Sequence, residues 1–268
     1  MSIPASTLAA SGAAALFCAA LPVLALLLCR HRWGAVRWWP LAAGVAGFLL
    51  FSQVLGNGLH VLVLGGPQGM ASWIDRAPWS FALYAALVAG VFEEAGRLAG
   101  LRSTMRRGAR LPAAACFGIG WAGIEALLVG TLPQVQAVVL GQALNAGTLA
   151  QALGAAPPEA IAAIEASLLQ ASPGMAVVAA CERTCAFVLQ LSLTVWMAGL
   201  LRAGASTLGV FVGMAALHAL VDLPAAMFQA GLLSLAWAEV ACGVAAATLG
   251  VWALRAGRVL SRPAVDAP

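Results

Sequence analysis

FALYAALVAGVFEEAGRLAGL, residues 81–101, begins apolar enough to lie in hydrocarbon and then carries Glu93, Glu94 and Arg97 within five residues. A carboxylate in a bilayer is costly unless it faces a cavity, pairs with a cation or holds a proton, so this span predicts a functional interior. Arg97 lies three and four residues beyond the two acids and can reach either along one helix face. One acid is neutralised in this way. The other points about 100° away and needs its own partner or a proton.

The rest of the chain extends the same pattern. Of 268 residues, 62% are hydrophobic and 9% charged, and the mean hydropathy is +0.94, a composition that leaves a soluble globule almost no polar surface. The expectation is an all-α, polytopic helical bundle: one integral membrane domain over residues 1–268, multi-pass in the cell membrane, with the lipid bilayer as its first partner. Apolar runs predict about seven spans, near 5–29, 40–64, 79–101, 111–133, 174–201, 205–231 and 232–256. Arg30, Arg32 and Arg37 follow the first span, Arg102, Arg106, Arg107 and Arg110 the third, and Arg202 the fifth, while Arg255, Arg258 and Arg262 mark the tail. The opposite connections carry only Arg76, beside Asp75, so the N-terminus is expected outside and the C-terminus in the cytoplasm. Topology thus accounts for the net charge of +4, and nucleic acid is not an expected partner.

The first run lacks a basic region before it and is followed by the arginine cluster, so an uncleaved span is expected rather than a signal peptide. Cys18, Cys29, Cys116, Cys181, Cys185 and Cys242 lie in or beside spans without CxxC spacing, which suggests neither a disulfide framework nor a thiolate zinc site. One long connection, roughly 134–173, holds no arginine. Within it Pro157 and Pro158 open a segment, about 158–170, in which Ile161, Ile164, Leu168 and Leu169 recur at helical spacing, as in an amphipathic helix on the outer surface. A cap or spacer is its expected role. No internal repeat is visible, which weighs against a transporter.

Other polar residues inside the spans add to the first three. Glu125 sits in FGIGWAGIEA (117–126) with no basic residue within a turn, and Gly118, Gly120 and Gly123 there allow a second helix to come close. Glu182 and Arg183 are adjacent and so are expected to bond to different neighbours. His218 and Asp222, four apart in ALHALVDLPAA (216–226), share a helix face, an arrangement suited to a general base held by an acid or to two ligands of one metal ion. Counting at 1.5 Å per residue sets Glu125, Glu182 and His218 about 20 Å from the cytoplasmic boundary and Glu93 about 10 Å from it. Asn57 and His60 are either helix-contact residues or part of a cavity lining, and Glu239 is near enough to the outer surface to reach water. Six acids, Glu93, Glu94, Glu125, Glu182, Asp222 and Glu239, thus face Arg97, Arg183 and one histidine, so cations or protons must complete the balance.

The order of Glu93-Glu94-x-x-Arg97, FGIGWAGIEA, Glu182-Arg183 and His218-x-x-x-Asp222, over residues 79–231, resembles the YhfC family of intramembrane peptidases, related to the CAAX-protease and PrsW-like groups. The resemblance implies hydrolysis of a peptide bond in a membrane-embedded or membrane-proximal substrate by glutamate-activated water, alone or on a divalent metal such as zinc. Carried over residue by residue, Glu93 is the general base, and Glu94 is its partner or the acid that protonates the leaving amine. Arg97 orients the pair, and His218 and Asp222 bind the water, a metal or the oxyanion. Burial favours the uncharged form of a carboxyl group, which suits it to take up and return a proton.

The related groups have a histidine four residues after the phenylalanine of the second motif, and here that position is Trp121. An indole N–H only donates, so it neither accepts a proton nor binds a metal. Three readings follow: water activated by glutamate without metal, Glu125 in place of the missing ligand, or a member that has lost activity and serves as a scaffold or sensor. From another class, a proton- or cation-coupled transporter would use the same acids as a relay.

Overall fold

The computed structural model describes residues 2–65, 67–105 and 111–261, and all of its regular structure there is helical. We number the helices α1 Ala5–Trp33, α2 Trp38–Leu64, α3 Pro67–Arg76, α4 Pro78–Met105, α5 Leu111–Asn145, α6 Leu149–Ala152, α7 Pro158–Gln170, α8 Pro173–Arg202, α9 Thr207–Gln229 and α10 Leu235–Leu260. Six of them (α1, α2, α5, α8, α9 and α10) are long and apolar enough to cross a membrane, among the described residues. The chain is therefore an all-α, multi-pass membrane protein, in keeping with a place in the cell membrane. The expected count of seven differs because of α4. It runs for 28 residues, but Glu93, Glu94 and Arg97 lie within it and lower its apolarity.

Arginines sit in the last turns of α1, α4, α8 and α10, where the negative end of the helix dipole favours them. Arg106, Arg107, Arg110 and Arg262 lie outside the described residues. The fourth span is longer than its sequence suggests, because α5 runs on to Asn145 through a segment expected to be a connection. Two helices change their winding. α2 adopts π-type turns over Leu49–Gly56 and α5 over Ala126–Thr131, each resuming the α form afterwards. Such turns shift side-chain register and recur at functional sites.

The chain divides into two compact units. The first comprises residues 1–24 and 125–184. Its core joins Ile3, Leu149 and Leu168, with Ile161, Ile164 and Leu169 of α7 packed against them. Asn145 grips the start of the chain, accepting from Ile3 N at 2.7 Å and donating to Ile3 O at 2.9 Å.

The second unit, residues 25–124 and 185–261 of the described chain, holds α2, α3, α4, α9 and α10 with parts of α1, α5 and α8. Two close helix crossings organise it. A Cβ at Gly120 of α5 would collide with the carbonyl of Leu41 on α2, and one at Gly44 with the carbonyl of Phe117, so only glycine permits this approach. A Cβ at Gly90 of α4 would lie 2.5 Å from Ala215 O and 2.9 Å from Ala219 N on α9. Gly90 is one turn before Glu94, and Ala215 and Ala219 bracket His218, so this crossing sets acid against imidazole.

Candidate active site

α4, α9, α8, α5 and α2 each contribute to one polar cluster in the second unit. At its inner end Glu94 and Arg97, three residues apart on α4, are both wholly buried. Arg97 Nε lies 3.0 Å from each Glu94 oxygen. The rest of the guanidinium is held by α8. Nη1 donates to Gln190 O at 2.9 Å and to Thr194 Oγ1 at 2.6 Å, and Nη2 donates to Gln190 Oε1. A charge at this depth is tolerable because its donors are matched by acceptors in fixed directions.

Glu94 also fixes the histidine, its Oε1 standing 2.6 Å from His218 Nδ1. The other ring nitrogen is thereby turned toward two further acids, with Nε2 3.3 Å from Asp222 Oδ2 and 3.9 Å from Glu93 Oε2. Three carboxyl groups thus surround one imidazole, and the Arg97 guanidinium is bonded to the innermost of them.

Glu93 is bonded on both oxygens. Oε2 accepts from Gln190 Nε2 at 2.8 Å and from Trp121 Nε1 at 3.3 Å, while Oε1 accepts from Ser52 Oγ at 3.2 Å, inside the π-wound turn of α2. Trp121 is buried, edge-on to Phe48 at 5.7 Å and stacked on Phe117 at 6.0 Å. The Arg97 guanidinium carbon stands 4.9 Å from the centroid of the indole ring, close enough for a cation–π interaction. The indole therefore acts as a donor to Glu93 and a wall for Arg97.

Burial falls steadily across the cluster. The side chain of Glu94 is 0% exposed, that of Glu93 11% and that of Asp222 39%. Asp222 is thus the most exposed acid of the cluster and Glu94 the fully enclosed one.

Of the sequence-predicted site residues, the structure brings Glu93, Glu94, Arg97, His218 and Asp222 together. Glu125 belongs to the first unit, where its Oε1 lies 3.2 Å from Arg183 Nη1. Arg183 does reach another acid, Glu125, as its expected separate partner, but its separation from Glu182 is not found. Arg183 Nη2 lies 2.6 Å from Glu182 Oε1, since a guanidinium on a long stem can fold back to the preceding residue. The depth count is also corrected: it set Glu93 and His218 about 10 Å apart along the bilayer normal, whereas their side chains lie 3.9 Å apart. Span boundaries and side-chain reach together cover that difference. The sequence reading missed Ser52, Gln190 and Thr194. The available signal was the i, i+4 spacing of Gln190 and Thr194 on an apolar span, which directs two polar groups to one face.

A family profile described as YhfC intramembrane metalloprotease matches residues 17–242. The chain belongs to this family. It is also 31% identical over 219 residues to the uncharacterized membrane protein YhfC of Bacillus subtilis (strain 168), covering 81% of this chain and 83% of that protein. No solved structure matches. The family description implies a metal, and the donors can be tested against it. Among the described residues no three His, Cys, Asp or Glu side chains are disposed to share a metal ion. Both Glu94 oxygens face Arg97, Nδ1 of His218 faces Glu94, and Trp121 offers only an N–H. With Glu94 and Nδ1 taken up in this way, the described side chains do not form a ready metal-ligand set, and the donors left facing one another are His218 Nε2, Asp222 and Glu93.

Proposed function

We propose that the chain is an intramembrane peptidase in which Glu93 activates water for attack on a peptide bond of a membrane-embedded or membrane-proximal substrate. The observation that carries the reading is the convergence of Glu93, His218 Nε2 and Asp222 at the accessible edge of a cluster whose buried side is locked by Glu94 and Arg97. Pre-set geometry of this kind supports catalysis, since general acid–base groups act only when held within hydrogen-bond reach of the reacting atoms.

In this reading Glu93 takes a proton from water, the resulting hydroxide adds to the scissile carbonyl, and the same carboxyl returns the proton to the leaving amine nitrogen. Asp222 accepts a hydrogen bond from the water and holds it, while His218, with a proton on Nε2, donates to the developing oxyanion. Glu94 is a positioning residue: with both oxygens on Arg97 and one on His218, it orients the imidazole, which favours Glu93 over Glu94 as the proton carrier. Glu125 and Arg183 fall outside the reaction. We also propose that α4 is a seventh crossing, its charges compensated internally, with the N-terminus outside and the C-terminus in the cytoplasm.

The test compares new protein N-termini in membranes of cells producing the wild-type chain, Glu93→Gln or His218→Ala. Cleavages present with the wild type and absent with both variants are expected, with Glu93→Gln lowering turnover by at least about 100-fold. Identical N-termini in all three would defeat the peptidase reading.

A further inference from the structure

A line of polar side chains runs from Glu93 out along α2. Asn57 Nδ2 donates to Gln53 Oε1 at 3.3 Å, Gln53 Nε2 donates to Ser52 Oγ at 3.4 Å, and Ser52 Oγ donates to Glu93 Oε1 at 3.2 Å. Every donor points toward the carboxylate. The outer end of the line is exposed at Asn57, among Val54, Leu55, Val61 and Leu62, which are exposed too and suited to lipid. There the Asn57 carbonyl and the second amide hydrogens of Asn57 and Gln53 are not used within the line. One turn further on, His60 Nδ1 and the Tyr84 hydroxyl are buried with no hydrogen-bond partner among the described residues, their rings 5.4 Å apart. Residues 53, 57 and 60 follow i, i+4 and i, i+3 spacing and therefore share a face.

These groups offer donors and acceptors in a region where hydrocarbon supplies neither. An intact transmembrane helix supplies none either, because its amides bond to one another. An unwound stretch of peptide supplies both N–H and C=O, and hydrolysis requires the same unwinding before a scissile carbonyl can be attacked. We propose that residues 52–60 of α2 form a docking strip for an unwound segment of a membrane-spanning peptide substrate, with Gln53 and Asn57 binding its peptide groups and Ser52 linking that register to Glu93. This inference rests on the peptidase reading above. The eight helical steps from Ser52 to His60 span about 12 Å at the α-helical rise, the length of three to four residues of extended chain. The strip therefore reads positions within about four residues of the scissile bond.

Two leucine-rich probe peptides of about 20 residues, one with Gly-Pro at its centre and one all-leucine there, would be titrated in bicelles against the full chain carrying Glu93→Gln. Tighter binding of the Gly-Pro peptide is expected, weakened about tenfold by Gln53→Leu with Asn57→Leu. The all-leucine peptide should bind alike to both proteins, which controls for folding. Restoring amides as Gln53→Asn with Asn57→Gln should recover most of the loss. With Glu93 intact, the leucine pair should raise KM for the Gly-Pro peptide about tenfold, a larger factor than any fall in kcat. Equal affinity for the two peptides, or no response to the leucine pair, overturns the strip. The two readings fail separately. Glu93-dependent cleavage with an unaltered KM removes the strip and keeps the peptidase. Amide-dependent binding of a peptide that is never cleaved keeps the strip and removes the peptidase.

Discussion

Arg97 shows how a single residue can organise a buried site. Its Nε meets Glu94, and its two terminal nitrogens meet Gln190 and Thr194, a demand for three directions that a lysine ammonium on a flexible stem does not reproduce. Arg97→Leu leaves Glu94 without its cation and is expected to destabilise the protein by about 3–5 kcal/mol, measured by unfolding in mixed micelles. Arg97→Lys should recover part of that stability while leaving activity depressed. Trp121 calls for a milder change. Trp121→Phe keeps an aromatic ring beside Phe117 but removes the N–H that reaches Glu93, so the expected result is about a tenfold loss of turnover. An unchanged rate would show that the indole only packs. At this scale the sequence was informative about charge and silent about neutral partners. Glu93, Glu94, Arg97, His218 and Asp222 stand out because ionisable groups in hydrocarbon need a reason, whereas Ser52, Gln190 and Thr194 can satisfy themselves within a helix.

Between elements, the decisive contact is the passage of α9 over Gly90 of α4. Nothing larger fits against Ala215 O and Ala219 N, and the same turn carries the Glu94 and His218 pair. Gly90→Val should force the helices apart, cost about 1–3 kcal/mol and reduce peptidase activity further than its stability loss accounts for. Activity measured well below the unfolding temperature separates the two effects. Gly213 is a control on α9, since a Cβ there meets nothing within 4 Å; Gly213→Ala should leave activity unchanged. The small residues of FGIGWAGIEA were legible as packing devices, and Gly120 against Leu41 bears this out. The π-type turns were not legible, because hydrophobic periodicity over so few residues does not distinguish i→i+5 from i→i+4 bonding. Hence the reach of Ser52 toward Glu93 emerged only from the fold.

For the molecule as a whole, membrane class and helix content followed from composition, and most spans from runs between charges. The status of α4 did not, since the features that make it interesting are those that lower its apolarity. Labelling settles it. In a background lacking the native cysteines, His31→Cys in the exposed last turn of α1 and Ala203→Cys just after α8 are separated by four crossings if α4 spans the bilayer and by three if it does not. Both are expected to be shielded from an impermeant maleimide added outside, with Ser234→Cys reactive. Modification of Ala203→Cys but not His31→Cys would remove α4 from the membrane.

The rising burial from Asp222 through Glu93 to Glu94 also has a pharmacological side under the proposed peptidase reading. A transition-state mimic built for this fold would need its tetrahedral centre near Glu93 and His218, with a hydrogen-bonding arm for Asp222. Bulk aimed at Glu94 would meet a sealed wall, so chemists should find tolerance for large groups on one flank of the inhibitor and almost none on the other.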